Sequence, residues 1–294
     1  MDGIDHLLQS AYRADSEGFV AFSVAGQVVG WMRPGFAGAL SEWPRVFQRD
    51  QADAVRLRDD LGDEPSRSRA LAPIIRELAA RGIITGWRDE LYPVQGGLGI
   101  AGSAGLPLMH IERAAARPFG ITSTAVHVNG IVENGPGRDA PSLWIARRSA
   151  NKSIDPGMLD NMIGGGVPAG LGISETLIKE AWEEAGLDAA LAASATPGRR
   201  LRIRREVPEG LQSEVIFVHD LVLPPQVMPH NQDGEVGEFM LLSSAAVLDL
   251  LRKGGAMTAD ASLATLDCLN RRGLFDLPES RQSRAIFGEW ATRA

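Results

Sequence analysis

With 294 residues, 44% of them apolar, the chain is long enough for two domains or for one domain with a large extension, and core size does not limit it. No apolar stretch approaches the length of a membrane span, and the start Met1-Asp2-Gly3-Ile4-Asp5-His6 lacks a basic n-region and an apolar h-region, so neither a membrane nor export is expected. A formal net charge of -7 disfavours nucleic acid; the single Cys268 excludes an internal disulfide and cysteine-held zinc; and five histidines without paired spacing leave any metal to oxygen ligands. A cytoplasmic location and a small-molecule partner follow as expectations.

In chain order, residues 3–14 read as a short helix, and the apolar runs Phe19 to Val24 and Val28 to Met32 around Gly26 read as a hairpin. Ser66 to Arg81 spaces Leu71, Ile74, Ile75 and Leu78 as a helix stopped by Gly82. Gly96 to Gly105 reads as a surface loop, because no Lys-Ser/Thr pair follows it as in a phosphate cradle. From Phe119 the texture changes to strands at Thr124 to Val132, Leu143 to Arg147 and Glu214 to Leu223, with a helix at Ser174 to Ala185 between the second and third. Helical patterns close the chain at Ser244 to Arg252 and Ala259 to Arg272. The division that results is a smaller α+β amino-terminal domain over 1–117 and an α/β domain over 118–294.

The informative stretch is Gly164-Gly165-Gly166 through Gly186-Leu187, a glycine-rich loop running into a helix with Ser174 as its expected N-cap and Gly186 as its stop. On that helix Glu180, Glu183 and Glu184 stand at i, i+3 and i+4, on one face. Like charges so placed repel, and a solvated acidic face is one reading. The other is a cation such as Mg²⁺, which prefers carboxylate and water oxygens.

This segment resembles a Nudix box: Gly165 matches its opening glycine, and Lys179-Glu180-Ala181-Trp182-Glu183-Glu184-Ala185-Gly186-Leu187 matches its end, with Lys179 where the pattern has Arg. The box's first glutamate falls on Leu171 and a common acidic position on Ala169, which thins the outer charge shell and opens the number of ions to question. The resemblance implies a Nudix α/β/α sandwich with a mixed sheet. It also implies a hydrolase whose Glu180, Glu183 and Glu184 bind Mg²⁺, with Mn²⁺ as an alternative, joined by the carbonyl near Gly164. Further stretches, among them Gly86-Trp87-Arg88-Asp89-Glu90-Leu91-Tyr92, Val126-His127-Val128-Asn129-Gly130 and Asn231-Gln232-Asp233-Gly234-Glu235-Val236, resemble the Nudix group related to the domain preceding fungal thiamine pyrophosphokinase. That group implies conversion of thiamine diphosphate, or its oxidised forms, to the monophosphate. Nucleoside diphosphates or sugar nucleotides, and a non-catalytic binding domain, are the alternatives, and a homodimer is left open.

Among the remaining roles, Glu183 and Glu184 are assigned to catalysis through the metal, and Glu235 to orienting water, with Glu238 as its alternative. Arg148 is the choice for phosphate over Arg147, because alternate residues of a strand face opposite sides. Trp87 and Arg88 are the ligand-facing choices in the amino-terminal domain, while Phe119 and Trp144 are weighed as core fillers. The arginines of Arg199 to Arg205 alternate with Leu201 and Ile203 as on a half-buried strand, and His127 and Asn129 read as buried, hydrogen-bonded polar groups.

Overall fold

The computed structural model describes residues 2–50, 53–96, 106–134 and 140–288; most of the glycine-rich stretch at 96–105 lies outside them. After helix α1 (Gly3–Ala11), strands β1 (Val20–Val24) and β2 (Gln27–Met32) form the expected hairpin, turned by Ala25 and Gly26 at positive φ. Helix α2 (Pro34–Ala39) and strands β3 (Phe47–Arg49) and β4 (Val55–Leu57) complete a four-stranded sheet in the order β2-β1-β4-β3. Helix α3 (Glu64–Ala80), capped by Asp63, buries Leu71, Ile74, Ile75 and Leu78 as its spacing predicts. A separate hairpin, β5 (Leu91–Val94) and β6 (Met109–Glu112), leads through the short α4 (Ala116–Phe119) into the second half.

That half is built on a seven-stranded mixed sheet. Its strands are β7 (Thr122–Val132), β8 (Ser142–Arg148), β9 (Leu159–Asn161), β10 (Ile163–Gly166), β11 (Thr196–Val207), β12 (Gly210–Val222) and β13 (Val236–Ser243). The central path is β11-β12-β7-β8-β13; β12 runs parallel to β7, and the other pairings, including β10 on β7 and β9 on β8, are antiparallel. Helices α5 (Ile173–Ala185) and α6 (Ala189–Ala192) cover one face over Val128, Val132 and Leu221, and α7 (Ser244–Lys253), α8 (Ala259–Arg271) and α9 (Arg281–Phe287) cover the other. The result is an α/β/α sandwich. Helix α1 packs with this second core, where Ile4, Leu8 and Ala11 are buried, so the first helix of the chain closes on α7 and α9.

Several local expectations change. Helix α1 stops at Ala11, because Tyr12 turns extended and bridges to Arg204 on β11. Gly164-Gly165-Gly166, read as loop, is strand β10, held to β7 by pairing of Gly164 with His127 and Gly165 with Val126. Glycine has low strand propensity, yet tertiary pairing overrides it here. The helix that follows is capped at Gly172, not at Ser174: the Glu175 carboxylate reaches back to accept the Gly172 N–H at 2.7 Å.

Candidate active site

Helix α5 ends in Gly186, whose left-handed φ of 63° closes the last turn, and is pinned on the sheet by the buried Leu177, Ala181 and Ala185. That pinning sends Glu180 and Glu184 inward and leaves Glu183 at the rim, so the three carboxylates share a side of the helix but not one depth. Opposite Glu180 lies β10, and a Cβ added to Gly165 would sit 2.5 Å from Glu180 Cγ and 2.8 Å from its Oε1. A Cβ on Gly166 would collide with the Tyr92 hydroxyl. The glycines therefore make room for two side chains, one from α5 and one from the amino-terminal hairpin. Glu184 is anchored by the strand itself, accepting the Gly164 N–H at 2.8 Å.

Each pair of carboxylates is clamped by one ammonium. Lys179 Nζ lies 2.5 Å from Glu183 Oε2 and 3.1 Å from Glu180 Oε1; Lys152 Nζ is ion-paired to Glu235 and stands 3.9 Å from Glu184 Oε1. Burial pushes the Glu184 carboxyl up to about 8 against the opposing pull of Lys152, and burial likewise raises Glu180 against Lys179. The Lys152 ammonium is pushed down by its burial, with Glu184 opposing.

Of these groups Glu180, Lys152 and Glu235 face a cavity of about 240 Å³ between the two halves of the chain. Arg88, Tyr92, Arg113 and Arg117 line it from the amino-terminal side, and His127, Arg148, Lys152, Glu180, Glu214, Glu235 and Asp260 from the sheet side. Cationic and acidic side chains thus converge on one small volume, below the roughly 300–1,000 Å³ usual for drug-sized ligands.

Of the residues singled out in the sequence, Gly164, Glu180, Arg88, Arg148 and Glu235 line this cavity, while Glu184 is buried beside Gly164 and Glu183 stays on the outer side with Lys179. Trp87 is a correction: its indole N–H donates to Asp89 at 2.6 Å and its ring packs on the amino-terminal core, because the positive-φ residues Gly86 and Asp89 turn it aside and Arg88 inward. Arg148 reaches the cavity, but its guanidinium is spent on Asp160 at 2.7 Å and on the carbonyls of Ile154 at 2.8 Å and Asp155 at 3.1 Å; it holds the 154–160 turn. Glu238 points to the opposite, exposed side, where Arg147 donates to it at 2.6 Å. Phe119 and Trp144 are core residues, and Leu201 and Ile203 are buried on β11 as their alternation predicts. Not chosen from sequence were Tyr92, Arg113, Glu214 and Asp260, whose common placement needs the two halves folded together. Lys152 did carry a signal, as the basic residue that follows Arg147 and Arg148 at the end of β8.

Two family models match successive parts of the chain. Residues 4–123 match a family model described as a domain of unknown function (DUF4743), and residues 123–262 match the NUDIX domain. Nudix hydrolase 24, chloroplastic, from Arabidopsis thaliana is 38% identical over 264 residues, covering 89% of this chain and 70% of that protein. The chain belongs to the Nudix hydrolase family. Nudix hydrolase 20, chloroplastic, from the same plant is 38% identical over 272 residues with the same coverage, and an uncharacterized protein of Saccharomyces cerevisiae is 32% identical over 243 residues, covering 78% of this chain and 68% of that one. As a Nudix hydrolase the protein acts on phosphorus-containing anhydrides, and the family generally uses divalent metals.

The donor chemistry of the site fits such an ion. Glu180, Glu183 and Glu184 would supply hard oxygen ligands, and in this structure Lys179 and Lys152 lie against them. In this arrangement no three acidic, histidine or cysteine side chains among the described residues converge closely enough to hold an ion.

Proposed function

We propose that this Nudix hydrolase is a Mg²⁺-dependent pyrophosphohydrolase of a small organic diphosphate, with thiamine diphosphate or its oxidised derivatives as the preferred substrate and the monophosphate and phosphate as products. The observation that carries the reading is the small shared cavity, with arginines and Lys152 for phosphate oxygens beside the carboxylates of α5. Its volume favours a compact diphosphate over a dinucleotide. The preference for thiamine rests on the sequence motifs between residues 86 and 275.

Glu180, Glu183, Glu184 and the Gly164 carbonyl would hold the ion, Mg²⁺ or alternatively Mn²⁺, which when bound supplies charge neutralisation at the phosphoryl oxygens and a more acidic water. The chain does the rest by positioning. Arg88 and Arg113 approach the anionic end of the substrate from the amino-terminal side, each already tethered, Arg88 to Ser153 at 3.0 Å and Arg113 to Glu90 at 2.8 Å. Glu235, presented before β13 and steadied by Lys152, orients the attacking water and accepts its proton. Arg148 keeps the Asp155 to Asp160 turn in register with that group.

The phosphomonoester products, separated by ion-exchange chromatography after incubation with Mg²⁺ and thiamine diphosphate, a nucleoside diphosphate, a nucleotide sugar or ADP-ribose, test the reading. Highest kcat/KM on thiamine diphosphate is expected. A clear preference for either nucleotide class would replace the substrate assignment, and tight binding without turnover of any member would overturn the catalytic role.

A further inference from the structure

His127, midway along β7, lines the cavity and is only 7% exposed. Its Nδ1 lies 2.8 Å from Asn161 Oδ1. The orientation of that amide is fixed from behind, since Asn161 Nδ2 donates to Asn129 Oδ1 at 2.9 Å and to Thr265 Oγ1 at 3.0 Å. Asn129 is fixed in turn: its Nδ2 donates to Asp220 Oδ1 at 3.1 Å and to the Ala264 carbonyl at 3.3 Å, both of which only accept. Arg271 closes the chain with a bidentate grip on Asp220 at 2.7 and 2.9 Å. Because each amide has one permitted orientation, Asn161 presents an acceptor to His127, and Nδ1 must carry the proton. Nε2 is left as an acceptor, and no described residue donates to it. Nε2 is not sealed in the core: on a residue that lines the cavity, it stays open to a donor held there.

We propose that His127 is a specificity-determining residue of this hydrolase: held in the Nδ1–H tautomer by the Asn161–Asn129–Asp220–Arg271 chain, its Nε2 accepts a hydrogen bond from an N–H or O–H donor on the organic head of the diphosphate. The inference rests on the reading above that the cavity holds the substrate. On the same sheet face, the carboxylates of Glu214 and Asp260 share the Gln212 amide at 3.0 and 3.1 Å and add further acceptors to the cavity wall. The head that suits such a wall is a donor-bearing nitrogen heterocycle, not a hydrocarbon.

The test uses the full chain labelled with ¹⁵N-histidine, whose five histidines give a spectrum simple enough to assign. With metal chelated to prevent turnover, His127 should show a protonated Nδ1 and a bare Nε2, and saturation with thiamine diphosphate should move the Nε2 signal in the direction of an accepted hydrogen bond. A protonated Nε2 in the free protein, or an Nε2 signal unmoved at saturation, overturns the proposal. With Mg²⁺ present, His127→Phe should raise KM for thiamine diphosphate roughly tenfold, the loss of one hydrogen bond, while kcat and the KM for methyl diphosphate, which has no donor on its head, stay unchanged. Equal effects on both substrates would also overturn it. His127→Gln, which retains an acceptor, should recover part of the loss, and the wild-type spectra decide the matter if the Phe variant does not fold. Failure of the wild-type enzyme to hydrolyse either diphosphate would instead strike the diphosphatase reading and leave the tautomer measurement standing on its own.

Discussion

Gly165→Ala should abolish most of the activity while leaving the fold intact. The backbone at 165 does not have the positive φ that reserves a position for glycine, so alanine enters β10 without strain. Its Cβ, however, would lie 2.5 Å from Glu180 Cγ and 2.8 Å from Oε1, where ordinary contact begins at 3.4 Å. Helix α5 cannot retreat, because Leu177, Ala181 and Ala185 are locked into the core beneath it. The Glu180 side chain must therefore swing away by about 1 Å, and a misplacement of that size at a catalytic group costs on the order of a hundredfold in rate. Stability should move little, since exchanging Gly for Ala at a permitted φ contributes about 0.4–1 kcal/mol through the unfolded chain and offsets part of the crowding. The assay is kcat at saturating Mg²⁺ and substrate beside the urea midpoint, with Gly237→Ala as control, where the added Cβ meets nothing nearer than 3.7 Å. A folded Gly165→Ala enzyme with kcat within twofold of wild type would refute the placement of Glu180 at the reacting centre.

Other outcomes follow from the same geometry. Glu235→Gln should lower kcat by about 10²–10⁴-fold, whereas Glu238→Gln, on the outer face with Arg147, should leave it within twofold; steady-state rates of the two variants decide between them. His219 is held below its ordinary 6.5 by burial, partly opposed by its contact with the Phe217 carbonyl, so the unfolded chain takes up the proton first as pH falls. Its contribution to stability is present above pH 6.5 and lost as pH drops towards the folded value, and His219→Asn should flatten that part of the melting-temperature profile; an unchanged profile would remove His219 from the account. Burial pushes the Cys268 thiol up to about 12, so Ellman's reagent at about pH 8 should find no thiol in the native protein and one after unfolding in urea; rapid native labelling would contradict the packing of α8.

What the sequence made legible was whatever one helix or one strand could encode. The acidic side of α5, the apolar stripe of α3 and the alternation of β11 are each local patterns, and each folds as its period requires. Failures came where a residue's setting is decided by a partner distant in sequence. Gly164 to Gly166 lack any strand signal, and only pairing with β7 makes them β10. Arg148 has the right side chain for a phosphate, but the Asp160 carboxylate and two turn carbonyls take its donors first. The depth difference between Glu183 and Glu184 comes from a single 100° step around a helix whose burial the sequence does not orient.

The amino-terminal half is part of the site and not an appendage to it. Tyr92 places its hydroxyl where a side chain on Gly166 would be, and the Leu91 carbonyl accepts the Ala169 N–H at 2.7 Å, so β5 is laid against the segment that joins β10 to α5. That segment fixes the distance between the Gly164 backbone and the helix bearing Glu180 and Glu184. Arg113 stacks over the Tyr92 ring at 5.5 Å and is drawn to Glu90, so the cation facing the cavity is tied to the same hairpin that shapes the segment. A shift of β5 would therefore displace the phosphate-facing arginine and the carboxylates in one movement. At Ala169, where the resembled box commonly has an acidic residue, the chain instead meets β5 through its backbone, and the charge is concentrated on the helix beyond, at Glu180, Glu183 and Glu184.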